Sequence, residues 1–156
     1  HMKFSGTSLE YTDPYTKEKY IPWILETSMG LGRAFLMVMS DAYSVETTEN
    51  GDTRTVLKLK PELATVKFAV FPLLKNKPEL VEKARGVFKE LSRKYPCEWD
   101  DNGNIGKRYR RQDEIGTPKC VVIDFQTLED GTVAVRERDT MEQVRVTTDE
   151  LMNMGV

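Results

Sequence analysis

Three groups of residues carry side chains that could do chemistry. The first is Gly30-Leu31-Gly32-Arg33, between an apolar extended stretch and an apolar run. Glycines let a backbone approach a ligand closely, and an arginine opening a helix can clamp a phosphate. A turn that simply needs glycine explains the same residues. The second is Gly106-Lys107-Arg108-Tyr109-Arg110-Arg111, a dense cationic cluster with one aromatic. Arginine offers bidentate contacts to phosphates and base edges, and tyrosine a stacking face. A solvated helix face, balanced by Asp113 and Glu114 one turn on, is the plainer alternative. The third is Arg136 and Arg138, which strand periodicity puts on one face, opposite Val133 and Val135. Beside the basic helix they are expected to form a shallow cationic platform for single-stranded bases, or else an ordinary exposed sheet face.

Other chemistries are excluded or weak. His1 is the only histidine, and His1-Met2 has the form of a tag remnant, so mechanisms built on a histidine base or a zinc-histidine site lack their residues. Cys97 and Cys120 form no CxxC pair, and two isolated thiols suit a reducing compartment. Asp100 and Asp101 sit among Asn102, Gly103 and Asn104 and are expected to be turn formers.

These groups need elements to hold them. Residues 9–25 are expected as two strands around Asp13-Pro14, the second running from Tyr20 to Leu25. Ala34 to Met39 is apolar nearly all round, as in a helix buried in a larger body. Residues 44–64 are polar, with Glu49-Asn50-Gly51-Asp52 as a loop signal, and are expected to be a linker, with a short strand at Val56 to Leu59. From Val66 the pattern alternates β and α. Val66 to Leu74 and Lys119 to Phe125 are continuous apolar strands of a sheet covered on both faces. Pro78 opens a helix whose stripe is Leu80, Ala84, Val87, Phe88, Leu91 and Tyr95. A short strand at Cys97 to Trp99 precedes a helix over 105–115. Asp130-Gly131 predicts a tight hairpin into Thr132 to Arg138, Val144 to Val146 adds a strand, and Thr147 with Glu150 forms a capping box for a last helix. The fold class is α/β, a mixed sheet flanked by about three helices.

With 156 residues, 23 basic against 25 acidic and a net charge of −2, any nucleic-acid contact must come from a local patch. No run of ~18 apolar residues is present, so no membrane helix is expected.

Taken in order, several segments resemble the class II glycyl-tRNA synthetases. Phe4-Ser5-Gly6 through Glu26-Thr27-Ser28 to Gly30-Leu31-Gly32-Arg33 is similar to the approach to class II motif 3, with Thr27 where that family usually has proline. Leu57 to Pro61, Val66 to Leu73, Ile105-Gly106-Lys107-Arg108-Tyr109, Asp113 to Pro118 and Val135-Arg136-Glu137-Arg138-Asp139-Thr140-Met141 are similar to its anticodon domain, the last favouring the glycyl member over its histidyl, prolyl and threonyl relatives. The resemblance implies a C-terminal piece: residues 1–2 a tag remnant, 3–43 the end of a catalytic core, 44–64 a linker and 65–156 an anticodon-binding domain. It implies that Arg33 binds ATP phosphate as the catalytic arginine, that Glu26 and Ser28 line a glycine pocket, and that Arg108, Arg111, Arg136 and Arg138 contact the anticodon of glycine tRNA. The intact enzyme would use ATP and Mg²⁺, work as a homodimer in the cytoplasm, and join glycine to tRNA; the fragment alone, holding no cofactor and no metal, would not activate glycine and would self-associate through residues 9–43. A stand-alone RNA- or protein-binding module of the same fold, or an interaction domain with no nucleic-acid role, is the alternative.

Overall fold

A computed structural model describes residues 1–48 and 50–155; Glu49, part of the expected loop signal, lies outside them. The chain divides into two units, His1–Ala34 and Phe35–Val156. The first holds a short helix α1 (Met2–Ser5) and a two-stranded hairpin, β1 (Tyr11–Thr12) with β2 (Lys19–Tyr20). The Asp13 carboxylate builds its turn, accepting from the amides of Tyr15 at 2.8 Å and Thr16 at 2.9 Å. The Tyr11 and Tyr20 rings meet edge-on at 5.7 Å. The strand expected from Tyr20 to Leu25 stops at Tyr20: residues 21–30 take no regular structure, and Trp23 and Leu25 are fully exposed. Apolar residues without an opposing layer have nothing to pack on, and strands that short are marginal.

Helix α2 (Leu31–Ala42) is longer than its apolar run and leads into the second unit. Where a linker is expected over 44–64, the structure has an antiparallel hairpin, β3 (Tyr43–Thr47) with β4 (Thr53–Leu57). Val56 and Leu57 are buried, and so is Arg54 at 2% exposure. Polarity, the basis for expecting a linker, here marks a buried ionic contact instead of a solvated chain.

The main sheet is five-stranded, in the order β6-β5-β7-β8-β9. Its strands are β5 (Phe68–Pro72), β6 (Cys97–Trp99), β7 (Lys119–Ile123), β8 (Thr132–Glu137) and β9 (Gln143–Thr147). β5 runs parallel to β6 and β7; β7-β8 and β8-β9 are antiparallel. Because strand side chains alternate, β5 feeds two cores. Phe68 and Val70 join Val121, Ile123, Val133 and Val135 under α3 (Pro78–Leu91) and α6 (Thr148–Asn153), through Ala84, Val87, Leu91 and Leu151. Ala69 and Phe71 join Cys120 and Val122 on the other face, under Ile105 and Tyr109 of α4 (Ile105–Ile115). Each fully buried Phe, Val or Ile contributes roughly 1.5–3 kcal/mol, so this double-sided sheet is the main source of stability.

The α3 stripe, the start of α4 and the Thr147–Glu150 capping box of α6 form as expected. The tight hairpin at Asp130-Gly131 does not. A further helix, α5 (Phe125–Asp130), stands there, with its own capping box between Asp124 and Thr127 and Gly131 as a left-handed C-cap at φ 73°. The described sheet and helices bear out the mixed α/β class.

Candidate nucleic-acid interface

The connection from β5 to β6 runs through α3 on one face of the sheet. The connection from β6 to β7 runs through α4 on the other. Where successive connections leave for opposite faces, a crevice opens beyond the carboxyl ends of the strands, the usual ligand site of such sheets. Here a cleft of about 460 Å³ occupies that place, lined by Leu73, Leu74, Lys75, Asn76, Gly103, Asn104, Ile105 and Arg108. The volume falls in the range of small-ligand clefts, roughly 300–1,000 Å³. A larger cleft of about 530 Å³ lies along α3, but Glu79, Glu82 and Glu90 outnumber Lys83 in its lining, which disfavours a phosphate backbone there.

One wall of the crevice is the loop 100–104. Its shape follows from its sequence. The Asp100 carboxylate accepts from the Asn102 amide at 2.9 Å, Gly103 takes φ +72°, and Asn104 caps α4 by accepting from the Lys107 amide at 2.9 Å. The turn role expected for Asp100 holds, with an addition. Its other oxygen accepts from Arg111 Nε at 2.8 Å and Nη2 at 2.6 Å. The α4 N-terminus thus sits at the mouth with its first-turn amides and its positive dipole end, a favourable setting for an anionic or acceptor group. Lys75 and Lys107 are exposed beside it.

The four arginines expected to form one cationic platform are not together on the surface. Arg111 keeps 42% of its side chain exposed while paired with Asp100. Arg108 is 2% exposed, Arg136 6% and Arg138 3%, and all three are engaged inside the protein. Arg108 donates to the carbonyls of Pro72, Asp101 and Gly103. Arg136 forms a two-pronged pair with Asp113, at 3.0 and 3.2 Å. Arg138 donates to the carbonyls of Leu57, Gly116 and Leu59 at 3.1, 2.9 and 2.9 Å, and to Asp139. The reason is a non-local ion cluster. Asp113 also accepts from Arg54 at 3.2 Å, while Arg54 reaches Glu46 and the Arg138 carbonyl, so the hairpin β3-β4 is tied to α4 and β8. Lys58, then Arg54, hold the Glu46 carboxyl below the usual carboxylate range. The Arg138 guanidinium likewise holds Asp139 low.

The tyrosine of the cluster is turned inward as well. Tyr109 packs edge-on against Phe71 at 5.7 Å, and the Arg136 guanidinium stacks over its ring at 4.6 Å. Burial pushes its phenol up to about 12. The stacking face expected to meet a base is occupied by Arg136. Glu26, Ser28 and Arg33 are all exposed in the first unit, Arg33 in the opening turn of α2. Sequence reasoning missed the loops 73–76 and 100–104 as the two walls of one site, although the strand-end position of each and the Asn104 cap were signals for it.

The fold and crevice define an α/β domain built to receive a ligand where its parallel strands end. Residues 67–154 match the family described as anticodon binding domain, and the chain belongs to that family. It is 54% identical over 153 residues to the glycine–tRNA ligase of Borreliella afzelii, covering 97% of this chain and 34% of that protein. It is 51% identical over 151 residues to the glycine–tRNA ligase of Clostridium acetobutylicum, covering 97% of this chain and 32% of that one. The chain therefore spans about a third of the length of these relatives. Among solved structures, it is similar to the RNA binding domain of threonyl-tRNA synthetase from Cryptosporidium parvum, at 27% identity and a TM-score of 0.56 over 62% of this chain and 24% of that one.

Proposed function

We propose that this chain is the C-terminal part of a glycine–tRNA ligase and that its second unit holds glycine tRNA by the anticodon, in the crevice at the ends of β5 and β6. The observation that carries this is 54% identity with a glycine–tRNA ligase along 97% of the chain, a match that runs through both crevice walls. A splayed base would enter beside the α4 amides, with Lys75, Lys107 and Arg111 meeting the adjoining phosphates. Such contacts need only local charge, consistent with a net charge of −2.

The remaining roles concern the intact enzyme, a homodimer of the cytoplasm in this proposal. There Arg33 would meet an ATP phosphate, and Glu26 and Ser28 the glycine. Mg²⁺ would be held there through the ATP phosphates and one or two carboxylates of that enzyme. Charge on the phosphates would be stabilised by arginine and metal, with no covalent nucleophile.

The test is fluorescence anisotropy with glycine tRNA and with a variant changed only in the anticodon. Binding is expected to weaken with salt, and the changed anticodon to bind about tenfold or more weaker, as for a lost base contact of 1–3 kcal/mol. Equal affinity for the two tRNAs would overturn the proposal. The chain alone is expected to show no ATP–pyrophosphate exchange.

A further inference from the structure

We infer that Arg108 is the positioning residue of the crevice: it makes no contact with RNA, and its guanidinium fixes the distance between the two walls on which base selection depends. This rests on the proposed anticodon role of the same site.

The pairing of β5 explains why such a group is needed. On one side β5 is laddered to β7 as far as Pro72 and Ile123. On the other, its partner β6 ends at Trp99, opposite Val70. One further backbone bond, from the Asp100 amide to the Val70 carbonyl at 3.3 Å, continues that edge. Beyond it the chain departs as the loop 100–104, and on that side Phe71 and Pro72 run on without a strand beside them. Arg108 stands where the next rung would be. Its Nη1 donates to the Pro72 carbonyl, and its Nη2 donates to the carbonyls of Asp101 at 3.1 Å and Gly103 at 2.8 Å. A single planar group thus joins the end of β5, which is anchored in the sheet, to the loop that forms the opposite wall. The crevice width is set there by a side chain and not by a ladder.

The chemistry of the residue supports this role over simple filling of space. The guanidinium fork is rigid, so three carbonyls bound to it are held at fixed separations, which the single point of a lysine ammonium cannot do. Its partners are neutral carbonyls, and its buried Nε has no partner among the described residues. Burying a cation in this way is unfavourable compared with an apolar side chain of similar volume. What the cation adds is geometry. Although it lines the crevice, the side chain is only 2% exposed, which leaves a nucleobase little of it to touch. The other bonds on the loop are local: Arg111 donates to the Asp100 carboxylate and the Asn102 carbonyl, Trp99 Nε1 donates to Asp101 at 3.1 Å, and Asn104 caps α4, and none of these crosses to the end of β5.

The test compares glycine tRNA with its anticodon-changed variant on four proteins: the chain itself, Arg108→Lys, Asn102→Gly and Arg138→Lys. Asn102→Gly loosens the same loop without touching Arg108, the crevice lining or the core, and keeps the experiment decisive if Arg108→Lys fails to fold. Arg138→Lys disturbs an equally buried arginine away from the crevice. For Arg108→Lys the affinity ratio of native to changed anticodon is expected to fall from about tenfold or more to within about threefold, with Asn102→Gly moving in the same direction. Arg138→Lys should lower the melting temperature and keep the ratio. Retention of the full ratio by Arg108→Lys and Asn102→Gly, or an equal loss in Arg138→Lys, overturns the positioning role while leaving the anticodon proposal standing. A chain that never distinguishes the two tRNAs removes both.

Discussion

Replacing Asp113 by alanine is expected to be the most damaging single change in the second unit. Asp113 is 1% exposed and is the only carboxylate on Arg136 among the described residues, through bonds of 3.0 and 3.2 Å; it also takes one bond of 3.2 Å from Arg54. Without it, Arg54 retains Glu46 and the Arg138 carbonyl, but Arg136 keeps only the Tyr109 ring. Removing one partner from a buried pair and stranding the other charge costs about 3–5 kcal/mol, against a total stability of roughly 5–15 kcal/mol. For a domain of this size the melting point would fall by roughly 10–25 °C. Urea unfolding followed by Trp99 fluorescence, in a Trp23→Phe background, measures it. Adding Arg136→Met to Asp113→Ala should restore part of the loss, because the stranded cation is then gone. A loss below about 1 kcal/mol would refute the reasoning, since water would have to be solvating a site described as closed.

Three further outcomes follow from the same physics. Gly116 has φ +82°, and a Cβ there would lie 2.8 Å from the Leu57 carbonyl oxygen, so Gly116→Ala should destabilise by about 1–3 kcal/mol in the same unfolding assay. Arg145, bonded to Asp124 at 2.7 and 3.0 Å, holds that carboxyl down at about 2, so the pair stabilises the fold above the ordinary carboxylate pKa and is lost as pH falls from about 4 towards 2; Asp124→Asn should flatten this acid limb, worth on the order of 1–2 kcal/mol once the partial exposure of both groups is allowed for. The exposed Trp23, Ile24 and Leu25 in the first unit should drive self-association, so light scattering should show a mass that rises with concentration and a smaller rise for Trp23→Asp/Leu25→Asp; a constant monomer mass counts against it.

The elements legible in the sequence were those specified by neighbours along the chain. The α3 stripe, the continuous apolar runs of β5 and β7, and the Thr147–Glu150 box all act within a few residues, and each forms where its residues predict. Helix α5 was hidden because six residues give little periodicity, although Asp124, Thr127 and Gly131 carried its start and stop. The burial of the arginines is hidden for a different reason. Along the chain, charge reads as a surface property, but Asp113 lies 59 residues from Arg54 and 23 from Arg136, and only the folded topology brings them together. The β3-β4 hairpin is hidden for the same reason, since one of its deeply buried anchors, beside Val56, is the cation Arg54.

That hairpin bears on where the second unit can be cut. The family match begins at residue 67, and a protein trimmed to that point would contain every strand of the large sheet. It would also lose Arg54 and the carbonyls of Leu57 and Leu59, leaving Asp113 and Arg138 facing an opened wall. The stretch that the family match covers is thus shorter than the stretch expected to stand alone, and an excised version should start no later than Tyr43.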